Sequence, residues 1–132
     1  MFSFLLFAAI TCPAVTTPTV RGALGEVQLK VTRPEKAAGY LCQFTSADSE
    51  LTVEVSTLAS SAEFKHFADA ACASGQDVKP LKGIGNEAVA CTVGQSETIA
   101  SRVRNQAFLL RLTKSTRDTA RDLAEIVAGN LF

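Results

Sequence analysis

A chain of 132 residues with 13 basic and 13 acidic side chains has a formal net charge of zero; it is the size of one domain with one hydrophobic core, and it has no long-range field to draw a polyanion. Nucleic acid is therefore not an expected partner, and the single histidine excludes a two-histidine metal site. The four cysteines, Cys12, Cys42, Cys72 and Cys91, lack Cys-x-x-Cys spacing, which argues against a zinc ribbon or a thioredoxin-like pair and for disulfides in an oxidising compartment.

The chain opens on an apolar run, Met1 to Ile10, like a signal-peptide core but with no Lys or Arg before it. At about ten residues it falls far short of the roughly 20 that a membrane-crossing helix needs, so no transmembrane span is expected. Residues 1–11 read as a leader-like segment and residues 12–132 as a single α+β domain.

Thr17 and Pro18 form an N-cap and first-turn pair, and Gly25 supplies a left-handed terminator, predicting a short helix over Pro18 to Leu24. Val27, Leu29 and Val31 then alternate with polar residues, as do Leu51, Val53 and Val55, the pattern of half-buried strands. Between them Tyr40, Cys42 and Phe44 share one face of a third strand, entered by a turn over Pro34 to Gly39.

From Ser61 to Ala73 the period changes, with Phe64, Phe67, Ala68, Ala71 and Cys72 at helical spacing. Strands resume at Val78 to Leu81, Ala88 to Val93, Thr98 to Arg104 and Ala107 to Thr113; their short separations predict antiparallel hairpins. Ser115 and Asp118 have capping-box spacing ahead of a closing helix, Ser115 to Leu131, whose Ala120, Leu123, Ala124, Val127 and Leu131 form one stripe. The expected fold is α+β, a mainly antiparallel sheet of about six or seven strands with helices packed on one side and the other side largely wet.

Cys72 lies on the inward stripe of the central helix and Cys91 shares a strand face with Val89 and Val93, so these two are expected to bond. Cys42, between Tyr40 and Phe44, leaves Cys12 as its mate, although sequence alone does not exclude the other pairings of four cysteines. Cys12 also has two rival fates. A cysteine after an apolar leader is a candidate lipidation site, against which Thr11 and Ala9 stand, and cleavage after Ala14 would remove it.

Several short segments together carry a resemblance: Cys12 with Thr16, Val20 and Ala23-Leu24-Gly25; Cys42-Gln43-Phe44; and Gly83-Ile84-Gly85-Asn86-Glu87-Ala88. From Cys12 onward the chain resembles an uncharacterised secreted and lipoprotein domain family best known from mycobacteria and their relatives. Ala14 and Val15 stand where that family has two leucines, and Asn86 where it has Asp. The resemblance implies an envelope location, a bond between Cys12 and Cys42, and no established activity.

For chemistry, His66 stands six positions from Cys72 and no Gly-x-Ser-x-Gly motif is present, so neither a nucleophile with a base nor a cofactor is expected. Lys82 to Glu87 lacks Walker spacing and reads as a tight turn, with Asn86 and Glu87 as rim residues of a candidate site. Arg102 and Arg104 share a strand face, and Arg111 lies opposite the Phe108, Leu110 and Leu112 row, so the three are expected to gather on the open sheet face. An arginine fork suits carboxylates and phosphates. The combined expectation is a monomeric, non-enzymatic, extracytoplasmic domain that binds an envelope protein or a small ligand there. Its rivals are an accessory domain docking elsewhere and a hydrolase with a cryptic site.

Overall fold

The computed structural model describes residues 10–25 and 28–132. Most of the leader-like segment, residues 1–9, and the first predicted strand position, Val27, lie outside the described residues. The elements follow the predicted order: α1 (Thr17–Leu24), β1 (Lys30–Thr32), β2 (Tyr40–Thr45), β3 (Glu50–Thr57), a 3-10 turn (Ser61–Glu63) leading into α2 (Phe64–Ala71), β4 (Gln76–Leu81), β5 (Glu87–Val93), β6 (Ser96–Val103), β7 (Gln106–Thr113) and α3 (Arg117–Leu131). No described helix is long and apolar enough to cross a membrane.

The caps shift by one residue from those expected. Thr16, with extended backbone, accepts the Thr19 N–H through its hydroxyl, so Pro18 sits in the second helical position. A proline is tolerated there because the first-turn N–H groups have no intrahelical acceptor to lose. At the other end Gly25 adopts φ 67 and donates its N–H to the Arg21 carbonyl. In α3 the cap is Thr116 rather than Ser115, again accepting from the N–H three residues on.

The seven strands form one sheet in the order β1-β2-β3-β7-β6-β5-β4, every neighbour antiparallel. Two meanders, β1 to β3 and β4 to β7, are joined where β7 returns beside β3. Register then fixes what each face shows. On the first face Cys42, Val53, Leu110, Ile99 and Ala90 run in one row, and Tyr40, Val55, Phe108, Ser101 and Ala88 in the next. Helices α1 and α3 cover this face, burying Val20, Ala120, Leu123, Ala124 and Val127 against it.

The α+β class and the antiparallel sheet are as expected, but the helices are not confined to one side. α2 lies on the second face, where Phe64, Ala68 and Ala71 pack with Leu58, Ala100 and Ala107 and with half-buried Val89 and Leu109. The topology gives the reason: the chain leaves β3 in mid-sheet and must reach the far edge at β4, and the first face is already occupied by α1 and α3. The crossing therefore runs over β7, β6 and β5 on the second face, where Ala107, Leu109, Ala100 and Val89 give those strands an apolar patch on this side too.

Both bonds join the expected partners, Cys12 with Cys42 and Cys72 with Cys91, each with Cα atoms 6.0 Å apart. The first ties the segment ahead of α1 to β2, and its sulfur is the one a lipid would have taken. The second ties the C-terminal cap of α2 to β5.

The edge at β4 is anchored by Arg117, in the first turn of α3. Its guanidinium meets Glu97 at 3.1 Å, Asp77 at 3.2 Å and the Thr92 hydroxyl at 3.3 Å, and its side chain is 21% exposed against 16% for Glu97. Asp77 itself holds φ 55 at a register shift in β4. Arg117→Ala should lower stability by roughly 2 kcal/mol, since it leaves a poorly hydrated carboxylate without its partner. Urea unfolding checks this; a change under about 0.5 kcal/mol would assign the cluster to the category of weak surface pairs.

Candidate functional site

Four of the five residues picked from sequence come together and bond to one another, with Asn86, Glu87 and Arg104 still exposed. At the β6–β7 hairpin Arg104 turns the chain with φ 60 and is exposed. Its N–H donates to Asn86 Oδ1 at 2.7 Å, and its carbonyl accepts from the Arg102 guanidinium at 2.7 Å. Arg102 also bonds Glu87 at 2.6 Å, its side chain 18% exposed, directly opposite it in register. Asn86 N–H completes the closure by donating to the Arg102 carbonyl.

The cluster is thus a clasp between the β4–β5 loop and the β6–β7 hairpin. Ile84 pins the same loop by inserting its side chain into the core, 1% exposed, while its carbonyl accepts from the buried Ser101 hydroxyl. Gly85, at φ +61, lies so close to β6 that an added Cβ would sit 2.5 Å from the Arg102 carbonyl. The Gly-Ile-Gly-Asn-Glu run therefore reads as a structural corner. Arg104 additionally places its guanidinium 5.8 Å over the Phe132 ring.

Arg111 does not join this group. It shares the second face with Arg102, but it is registered with Thr98 and Thr52, whereas Arg102 is registered with Ala107. Four residues along a strand separate the two positions by roughly 13 Å, and the Ala107 and Leu109 positions under α2 lie between them. The expected arginine patch is accordingly split: one arginine is engaged with Glu87, one is in a turn, and one, Arg111, is exposed on the sheet.

What surrounds Arg111 is a strip that sequence reasoning did not single out. The row Thr32, Gln43, Thr52, Arg111 and the adjacent Leu41 and Glu54 lie on the second face, over β1, β2, β3 and β7. Leu41, Gln43, Thr52 and Glu54 are each half-buried. Thr32 donates to Gln43 at 2.9 Å, and Lys36 reaches Glu54 at 3.5 Å and Ser56 at 3.2 Å. Alternation in β3 does mark Thr52 and Glu54 as outward; what the sequence lacked was the register that sets them beside β7.

A second unpredicted feature lies on the other flank of α2. Ala68, Asp69, Cys72, Val78, Pro80 and Val89 line a hollow of about 470 Å³ between the helix and β4, with Val78 53% exposed. Elsewhere Tyr40 packs on the first core with its hydroxyl buried and, among the described residues, without a hydrogen-bond partner. Burial pushes the pKa of that hydroxyl up, and the Arg33 guanidinium, 4.9 Å over the ring, pulls the other way. Tyr40 therefore stays neutral at physiological pH. His66 is exposed on α2, and all four cysteines are bonded. No family model, curated protein or solved structure matches the chain.

Proposed function

We propose that the chain is a monomeric, non-enzymatic extracytoplasmic domain that holds a protein partner on the strip around Arg111. The observation that carries this reading is the strip itself: half-buried Leu41, Gln43, Thr52 and Glu54 present mixed polar and apolar surface beside one exposed arginine. A sheet face of mixed polar and apolar side chains suits a protein rather than a small molecule, which is usually enclosed by a concave pocket.

Two disulfides support the location, because such bonds persist in oxidising compartments. The non-enzymatic reading is supported by how the reactive groups are used. The sulfurs are bonded to one another, His66 is exposed, and the Arg102 guanidinium is paired with Glu87 within the fold. The resemblance to envelope domains points the same way.

A photo-crosslinking side chain placed at Thr52 or at Arg111, with a control at exposed Arg121 on α3, tests the surface. In envelope extract the two strip positions should give a discrete adduct that the control does not. Equal labelling from Arg121 would favour an accessory domain that docks elsewhere and would remove the strip as the contact surface.

A further inference from the structure

The two disulfides differ in their surroundings. Cys12 is 8% and Cys42 1% exposed, and their bond is part of the larger core. In the second bond Cys91 is fully buried, but Cys72 is half-buried and forms part of the wall of the open hollow between α2 and β4.

Beside Cys91 sits an unusual neighbour. Thr98 is directly opposite it in register on β6 and is fully buried, yet its hydroxyl has no hydrogen-bond partner among the described residues. Opposed residues on one face of an antiparallel pair hold their Cβ atoms about 5 Å apart. An unsatisfied buried hydroxyl is costly and calls for an explanation.

We propose that Cys72–Cys91 is a thiol-exchange site open to an external dithiol, and that Thr98 is the positioning residue that receives the departing sulfur. A thiolate of the dithiol enters the hollow and attacks Cys72 Sγ. The new mixed disulfide forms as the Cys72–Cys91 bond breaks, and Cys91 leaves with the electron pair as a thiolate. The Thr98 hydroxyl donates a hydrogen bond to it, and a proton from solvent follows. The second thiol of the reductant, as its thiolate, attacks the reductant's own sulfur in the mixed disulfide; the bond to Cys72 breaks, Cys72 leaves as a thiolate that takes a proton from solvent, and the reductant departs oxidised by two electrons.

This gives the buried hydroxyl a partner in the open state, which the closed state denies it. Opening would also release the C-terminal end of α2 from β5 and loosen the helix over Val89, Ala100, Ala107 and Leu109. Cys12–Cys42, with both sulfurs in residues below a tenth exposed, remains closed under the same conditions.

The test is a graded dithiothreitol equilibration of the disulfide-intact protein, quenched by alkylation and read by peptide mass spectrometry. Cys72 and Cys91 should be labelled at reductant levels that leave Cys12 and Cys42 unlabelled. Thr98→Val should raise the dithiothreitol-to-oxidised ratio needed for half-opening by about fivefold, the effect of one hydrogen bond between neutral groups, and Thr98→Ser should restore it. Labelling of Cys12 and Cys42 first, or of all four together, would overturn the proposal. So would a Thr98→Val protein that opens at the same ratio as the unsubstituted chain, and because the order of labelling is read on the unsubstituted chain, it does not depend on any variant folding.

Discussion

Gly85→Ala should lower the thermal midpoint by roughly 10 to 20 °C. Two independent costs meet at this position. The backbone holds φ +61, a region that costs a side-chain-bearing residue about 1 to 3 kcal/mol. The added Cβ would also stand 2.5 Å from the Arg102 carbonyl, 2.6 Å from Ser101 Oγ and 3.1 Å from Val103 Cγ2. Two of those atoms belong to the clasp and the buried peg, so relief by movement would disturb the Asn86 bond to Arg102 and the Ser101 bond to Ile84. Overpacking of this sort adds about 1 to 3 kcal/mol.

Gly83→Ala is the matched control, two residues earlier in the same loop. It too has positive φ, +83, but an added Cβ there meets nothing within 4 Å. It should therefore show the conformational cost alone, about 1 kcal/mol. Paired calorimetric scans read the difference. Equal midpoints for the two variants would mean that the loop is held by chain geometry alone and that the close approach to β6 contributes nothing.

Much of this architecture was legible because it follows from periodicity and spacing. The two-residue alternation of Leu51, Val53 and Val55 and the helical spacing of Leu123, Ala124 and Val127 each place a buried face correctly, and the placement of Cys42, Cys72 and Cys91 on such faces gave the pairing. The caps at Thr16 and Thr116 were each displaced by one because two hydroxyl residues stand in succession and either can accept the third-residue N–H.

What could not be read was register. Whether Arg111 lies beside Arg102 depends on the pairing of β6 with β7, where one position is registered with Thr98 and the other with Ala107. Nor does alternation within one strand say that β3 neighbours β7 rather than β4. One signal for α2 was present but ambiguous. Ala107, Phe108, Leu109 and Leu110 form an unbroken apolar run, which is how a strand covered on both faces reads. Taken with the length of the crossing from β3, that run marks where a helix must lie on the second face.

Opening both disulfides should leave the chain close to unfolded at 37 °C, whereas loss of one should not. The sequence separations are 30 and 19 residues, and loop-closure entropy for rings of that size is about 3 to 4 kcal/mol each. Together that approaches about 7 kcal/mol, against about 5 to 15 kcal/mol for the total stability of a domain. The two losses should be nearly additive, because one bond braces the segment before α1 on the first face and the other braces α2 on the second. Urea unfolding of Cys12→Ser with Cys42→Ser, of Cys72→Ser with Cys91→Ser, and of the quadruple variant measures each term. A quadruple variant that keeps the full midpoint would show that neither bond contributes to the stability of this fold.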